Sequence, residues 1–331
     1  MALKNLYGGN VLVSSLGMHE MTARITDVLN QTENNFLHIK ADHIKFANGE
    51  IKPFLPQTVR GTHVFLLHAL QEPDPNIALM TLLLTADALK RASATGITLV
   101  LPYIPYLRQD RKDEPRVPIS ARLIADLIES NKKIDRVITI DMHTDQEQGF
   151  FSITVDNISA MKVHANYFRG IFNNDFSNVI VVAPDFGSGT RAERFASLLN
   201  CNVPVAIIQK RRNCPNEAEV VGYIGPKVKG KNIIIYDDMI DTGGTNRSVV
   251  TELLKQQAKE VYTCVTHGIF SGEAEVKFKK ENRPVIATQS IPRTTEYQSN
   301  NASWLSFVPI EDLLAKAIHE ASIVGGSFSQ L

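Results

Sequence analysis

The chain has 331 residues, beyond the size at which one hydrophobic core usually keeps growing, so two domains are expected. With 44% hydrophobic and 21% charged residues, 19 Gly and 15 Pro, the composition is that of a globular protein and excludes a disordered or fibrous chain. The 35 Lys and Arg balance 35 Asp and Glu, so no global field draws the chain to nucleic acid or to an anionic membrane, and any anion site has to be local.

Cys201, Cys214 and Cys264 form no Cys-x-x-Cys pair, which supports neither a disulfide framework nor a zinc ribbon and makes a reducing cytosol the expected compartment. The first residues lack a basic segment followed by an apolar one, and no run approaches the roughly 18 apolar residues of a membrane span. A cytoplasmic protein is expected.

In chain order, Phe46-Ala-Asn-Gly-Glu50 is by itself an Asn-Gly turn. Asn76 to Ala94 places Ile77, Met80, Leu83, Leu84 and Ala88 on one helical stripe, predicted to cover a sheet. Ile97 to Leu101 is a predicted strand, and Tyr106-Leu-Arg-Gln-Asp-Arg-Lys112 beyond it, taken alone, is a surface loop laced with ion pairs. Ser120 is the expected N-cap of a helix through Leu123, Ile124 and Leu127. Val137 to Ile140 is a strand ending at Asp141 and His143. If extended there, the two project to one side and share a metal or a metal-bound phosphate; the alternative is that His143 is a structural histidine.

Val179 to Val182 is the next strand, followed by the Gly-rich turn Ala183-Pro-Asp-Phe-Gly-Ser-Gly-Thr190, which offers the carboxylate of Asp185. Hard oxygen ligands near phosphates point to Mg²⁺. After the apolar run Val205 to Ile208, Lys210-Arg-Arg-Asn-Cys-Pro-Asn-Glu-Ala-Glu219 reads as a mobile loop headed by three cations. It is either a solvated charge run or, given its place between two candidate phosphate-site strands, a loop that faces an anion.

The sharpest signal is Asn232-Ile-Ile-Ile-Tyr-Asp-Asp-Met-Ile-Asp-Thr-Gly-Gly-Thr245, a strand ending in acids, then a Thr/Gly turn, then a helix through Val249, Leu253 and Leu254. Gly243 and Gly244 admit close backbone approach, Thr242 and Thr245 donate, and the new helix aims its first N–H groups at a phosphate. Asp237 at the strand end is placed to accept from sugar hydroxyls. A plain strand-to-helix turn would need fewer acids than Asp237, Asp238 and Asp241 provide.

These strand, turn and helix units predict an α/β fold with mainly parallel sheets. A weak repeat pairs Thr98-Leu-Val-Leu-Pro102 with Val179-Ile-Val-Val-Ala-Pro184, and Val137-Ile-Thr-Ile-Asp-Met142 with the strand before Asp237, which predicts two related domains meeting near Asp156 to Val163. The expected division is 1–157, to which 306–331 returns through a helix from Ile310 to Ala321, and 158–305.

Together the motifs resemble ribose-phosphate pyrophosphokinase, the phosphoribosyl diphosphate (PRPP) synthetase family, over nearly the whole chain. The resemblance rests on Phe46 to Glu50 with Val59-Arg-Gly61, on Tyr106 to Lys112 continuing to Arg116-Val-Pro-Ile-Ser-Ala121, on Asp141 to Phe151, on the Lys210-Arg-Arg loop, and on Asp237 to Thr245. It implies two phosphoribosyltransferase-like (type I) domains and transfer of a diphosphoryl group from MgATP to ribose 5-phosphate, giving PRPP and AMP. Carried over by position, Asp237, Asp238 and Asp241, Thr242, Gly243, Gly244 and Thr245 hold ribose 5-phosphate with Arg212 assisting, and Lys210 is the catalytic cation. Phe46, Asn48, Gly49, Glu50, Arg108, Gln109 and His143 match the ATP site, with Phe46 lying against adenine from a neighbouring subunit. His143 and Asp185, with Asp141 beside them, match the magnesium positions. The resemblance further implies a homo-oligomer, a hexamer built from dimers, with the nucleotide site at a subunit interface and no nucleic-acid or membrane partner.

The chain departs from the family pattern at Asn48 and Ala47, where Asp and Ser are usual, at Ser152, where an acid is common, and at Gly187-Ser-Gly-Thr190, which replaces a tighter Gly-Gly pair. Two other function classes compete. A phosphoribosyltransferase that consumes PRPP needs neither the ATP motifs nor the Lys-Arg-Arg loop, and a non-catalytic regulatory relative that binds nucleotide is free to lose Lys210 or His143.

Overall fold

Continuous β-branched runs alternate with amphipathic helices, and the strands they form pair into two parallel sheets flanked by helices, here in a computed structural model that describes residues 9–31, 36–71, 74–214, 217–328 and 331. The side chains of residues 210–221 lie outside the described residues. The chain divides into two compact units, Met1–Ser159 with Glu311–Leu331, and Ala160–Ile310.

In the first unit the elements are β1 (Asn10–Ser14), α1 (His19–Asn30), β2 (Leu37–Lys40), β3 (Asp42–Lys45), β4 (Ile51–Phe54), β5 (His63–Leu67), α2 (Pro75–Arg91), β6 (Gly96–Val100), α3 (Ser120–Glu129), β7 (Ile134–Ile140), a 3₁₀ turn (Asp145–Phe150) and β8 (Thr154–Ile158). The sheet order is β2-β1-β5-β6-β7-β8, with every pairing parallel, and β3 and β4 form a separate antiparallel hairpin. Every residue of β6 is buried, as a central parallel strand covered on both faces requires.

Helix α2 starts where Asp74 accepts from the N–H groups of Asn76 (2.9 Å) and Ile77 (3.0 Å), with Pro75 at its first position. Its buried face is Ala78, Thr81, Leu82, Thr85, Ala86 and Leu89, not the expected stripe. Met80 is 54% exposed and Leu84 also points outward, because small residues let the helix lie close to the sheet while the larger ones occupy the other side. In α3, Leu123 likewise points outward, and Ile124 and Ile128 point in.

The second unit runs α4 (Met161–Phe172), β9 (Val179–Ala183), α5 (Gly189–Leu199), β10 (Val205–Cys214), β11 (Glu217–Ile224), β12 (Asn232–Ile240), α6 (Gly244–Lys255), β13 (Glu260–Gly268), α7 (Ala274–Glu281), β14 (Val285–Thr288), α8 (Thr295–Asn301) and β15 (Leu305–Val308). Its order is β11-β10-β9-β12-β13-β14-β15, parallel except for β11 against β10. Because β15 pairs with β14, the return to the first unit begins at Glu311 and not at 306. There α9 (Glu311–Ser322) packs on α1, with Arg24 Nε 2.5 Å from Glu311 Oε1.

With β11 set aside, β10-β9-β12-β13-β14-β15 repeats β2-β1-β5-β6-β7-β8 strand for strand in chain order. The repeat is present, but β6 corresponds to β13 and β7 to β14, so the pairing expected from sequence is out of step. Short buried parallel strands are Val/Ile/Leu runs wherever they lie in a sheet, and only the order of connection distinguishes them.

Candidate functional site

In an open parallel sheet, a crevice forms outside the carboxyl ends of the strands where the order reverses direction. In the second unit that point lies between β9 and β12: Ile235 pairs with Val182, and β10 leaves on the other side of β9. The turn after β9 brings Asp185 there, and the end of β12 brings Asp237, Asp238 and the Asp241–Thr245 turn.

Within that turn the two glycines answer different demands. Gly243 has φ +72°, and a Cβ on it would lie 2.4 Å from Phe278 Cε2, so the fold itself requires glycine. A Cβ on Gly244 would meet nothing within 4 Å, which leaves open space over the start of α6. Among the described residues no side chain caps α6, so its first N–H groups are placed for an anion, and the buried Asn246 amide nitrogen has no hydrogen-bond partner there.

Asp237 and Asp238 are buried, Asp185 is half-buried, and the three are tied together. Ser188 Oγ lies 3.0 Å from Asp185 Oδ1 and 3.2 Å from Asp237 Oδ1; Asp185 Oδ1 also accepts from Ser188 N (3.0 Å), and Asp237 Oδ1 from Asp238 N (3.0 Å). From the first turn of α5, Arg191 reaches Asp238 Oδ1 at 3.4 Å and Asp237 Oδ1 at 3.8 Å. Burial, then Asp238 and Asp185, push the Asp237 carboxyl well above the usual carboxylate range, and Arg191 only partly opposes them. Sequence marks Ser188 only as a departure from the family's glycine pair and gives no sign of Arg191, because Asp237 and Asp238 lie far along the chain.

The Lys210 stretch is not a loop in backbone terms. β10 continues to Cys214 and pairs antiparallel with β11, Lys210 opposite Val220 and Arg212 opposite Ala218, with register breaks at Gln209/Lys210 and Arg212/Cys214. The Lys210 and Arg212 side chains lie outside the described residues.

In the first unit, Phe46 to Glu50 form the tip of the β3–β4 hairpin. Phe46 N donates to Glu50 O (2.8 Å), Gly49 N to Phe46 O (2.9 Å), and Glu50 N to Asn48 Oδ1 (3.1 Å), with Gly49 at φ +92°. Phe46 is 47% exposed. Arg108 and Gln109 sit on an exposed turn held by Gln109 N to Tyr106 O (3.0 Å) and by Ser120 Oγ donating to Gln109 Oε1 (2.5 Å). Ser120 is therefore the first residue of α3 and a brace for Gln109, not the N-cap.

Asp141 has φ +40°, so the strand stops at Ile140 and the extended geometry expected for Asp141 and His143 is absent. Tyr106 and Arg116, each at φ +68°, share this left-handed strain in the other motif loops. Beyond half-buried His143, Thr144 N (3.1 Å) and Oγ1 (3.3 Å) donate to Glu147 Oε1, while Glu147 Oε2 is buried without a partner among the described residues. Burial pushes Glu147 up to about 7 despite His143, with Asp110 adding to the rise. Sequence reasoning missed this carboxyl, although Thr144-x-x-Glu147 is a capping-box signature.

Asp185 and Asp141 are hard oxygen donors that suit Mg²⁺, an ion that keeps most of its own waters and takes only one or two carboxylates. Among the described residues no three His, Cys, Asp or Glu side chains form a metal-sized group. His143 belongs to the first unit and Asp185 to the second. No described helix is long and apolar enough to cross a membrane.

A family profile described as the N-terminal domain of ribose phosphate pyrophosphokinase matches residues 11–131, and a phosphoribosyl transferase domain profile matches residues 154–300. The ribose-phosphate pyrophosphokinase of Clostridium acetobutylicum is 43% identical over 289 residues, covering 86% of this chain and 88% of its own. That of Bacillus subtilis is 37% identical over 333 residues, covering 99% and 100%. Among solved structures, phosphoribosylpyrophosphate synthetase from Mycobacterium smegmatis aligns with a TM-score of 0.82 at 37% identity, covering 95% of this chain and 98% of that one.

Proposed function

Because the chain belongs to the ribose-phosphate pyrophosphokinase family, we propose that it transfers the β,γ-diphosphoryl group of MgATP to the anomeric hydroxyl of ribose 5-phosphate, giving PRPP and AMP. The observation that carries this reading is the crevice between β9 and β12. There an uncapped helix start, the open space over Gly244 and buried acids offer one place for a phosphate and one for sugar hydroxyls.

In this assignment Asp241 to Thr245 cradle the 5-phosphate, Asp237 and Asp238 take the ribose hydroxyls, and Arg212 assists. Phe46, Asn48, Gly49, Glu50, Arg108, Gln109 and His143 receive ATP, with Phe46 lying against adenine across a subunit boundary. The anomeric hydroxyl oxygen attacks the β-phosphorus and gives up its proton to solvent, the bond from that phosphorus to the bridging oxygen of AMP breaks, and AMP leaves with the electron pair. Such transfers depend on alignment and on neutralising developing charge more than on a strong base, and Lys210 is the cation assigned to the transition state. His143 and Asp185, with Asp141, are the residues assigned to hold Mg²⁺, which when bound neutralises phosphate charge and aligns the diphosphate.

A homo-oligomer, a hexamer built from dimers in a cytoplasmic setting, belongs to the same proposal. The apolar outer face of α2, with Met80 54% exposed, and the exposed Phe46 support a covering subunit. The test is a coupled assay for AMP release from ATP with and without ribose 5-phosphate. Strict dependence on the sugar phosphate, with PRPP formed in step, is expected. AMP release without it, or none with it, would overturn the reading.

A further inference from the structure

Ser188 stands where the family pattern has a tighter glycine pair, and the proposed chemistry gives it no role. It is 5% exposed, and its hydroxyl lies between two carboxylates, 3.0 Å from Asp185 Oδ1 and 3.2 Å from Asp237 Oδ1. A serine hydroxyl has one proton, so it donates to one of these oxygens at a time. Its backbone N–H already serves Asp185, and a cap for the start of α5 needs nothing more; the reach to Asp237, 49 residues along the chain, is what capping leaves unexplained.

We propose that Ser188 is a positioning residue that makes divalent-cation binding and ribose 5-phosphate binding favour one another, by sharing its single proton between Asp185 and Asp237. This rests on the reading of the β9–β12 crevice as the sugar-phosphate site. With Asp185 facing water the hydroxyl divides its donation between the two carboxylates. A cation on Asp185 takes up that negative charge, and the proton turns to Asp237. Asp237 Oδ1 then accepts from both Ser188 Oγ and Asp238 N, which fixes the orientation of the carboxyl assigned to the sugar hydroxyls. The coupling is reciprocal, so ribose 5-phosphate tightens the cation by the same factor.

The experiment is calorimetry of ribose 5-phosphate binding to the full chain, without ATP, in the presence and absence of MgCl₂, for wild type, Ser188→Ala and Ser188→Thr. In wild type Mg²⁺ is expected to tighten binding by about tenfold, the scale of one ordinary hydrogen bond. Ser188→Ala is expected to lose that enhancement while still binding the sugar phosphate, and Ser188→Thr, which keeps a hydroxyl, to retain most of it. An equal enhancement in wild type and Ser188→Ala would overturn the inference and leave the site reading intact. Absence of binding by wild type under either condition would overturn the site reading itself. A purely structural role would lower the unfolding temperature of Ser188→Ala without changing the ratio of the two affinities, and that result also counts against the inference.

Discussion

The two units share one strand order, yet the crevices at their reversal points hold opposite kinds of chemistry. Between β9 and β12 the strand ends carry acids, a glycine turn and an uncapped helix start. Between β1 and β5 they carry Ser14, Ser15 and His68, whose hydroxyls and Nε2 are engaged from within the unit, with His68 Nδ1 buried and unpaired among the described residues. Ser14 Oγ lies 2.7 Å from His19 Nδ1 and 2.8 Å from His38 Nε2, Ser15 Oγ lies 2.9 Å from His43 Nε2, and His68 Nε2 donates to Ala78 O at 2.8 Å. His43 belongs to the hairpin that carries Phe46 and Glu50, so in the first unit this network anchors a neighbouring loop. Topology thus supplies a place for a ligand twice, and the residues at the strand ends decide whether the place is left open.

The largest effect that would test this contrast is at Lys210. Its replacement by Ala should lower kcat by a factor corresponding to roughly 3 kcal/mol or more, with KM for either substrate little changed, because a charge met mainly in the transition state contributes differential binding. Steady-state kinetics with near-normal kcat would remove Lys210 from the chemistry.

The two glycines of the second crevice should separate fold from ligand. Gly243→Ala forces a Cβ to 2.4 Å from Phe278 at a left-handed φ and should lower stability by about 2–3 kcal/mol, read as a fall in denaturant midpoint. Gly244→Ala, with nothing within 4 Å of the new Cβ, should unfold like wild type and bind ribose 5-phosphate more weakly. Equal stability losses in both variants would deny Gly244 its role toward a ligand.

Acid should act on the two crevices in opposite directions. Burial holds His19, His38 and His43 below the usual 6.5 and takes His68 down to about 3. Below pH 6.5 these histidines therefore bind more protons in the unfolded chain than in the folded one, so their contribution to this crevice weakens as pH falls, by up to about 1.4 kcal/mol per pH unit for the fully buried His68 and by less for the half-exposed His19, His38 and His43, whose charges water screens. Asp237 is raised, so its contribution is fully present below 3.8 and is lost as pH rises through its folded value. Hydrogen exchange between pH 7 and 5 should show amides of β1 and β5 losing protection relative to β9 and β12. The same change in both pairs would contradict the contrast.

The smallest effect concerns Asn48. Its carbonyl oxygen already accepts from Glu50 N, which leaves the NH₂ group, a donor, where an Asp would present an acceptor. Wild type should then use GTP in place of ATP more readily than Asn48→Asp does, by about 1 kcal/mol in the ratio of kcat/KM values. An unchanged ratio would mean residue 48 does not read the base.

Segments that carry strand, turn and helix start together were legible in sequence: the strand, glycine turn and helix start of the proposed cradle lie within Asn232 to Thr245, and buried parallel strands announce themselves as apolar runs. Helix α2 was misread because both of its faces are apolar, and the smaller residues face the sheet. The left-handed backbone of Asp141, a non-glycine, leaves no mark in composition or period. Ser188, Arg191 and Glu147 gain their meaning from partners that only folding brings near, or from burial itself. The repeat was detected but set out of step, because strand order is absent from any one strand.

The packing of α9 on α1, pinned by Arg24 and Glu311, also bears on how the chain is made. Synthesis runs from the N-terminus, so the whole of Ala160–Ile310 leaves the ribosome before the helix that completes the first unit. The second unit can finish folding while still tethered, whereas the flank of α1 that α9 covers waits for that helix. During translation that flank is the face chaperones have most reason to cover.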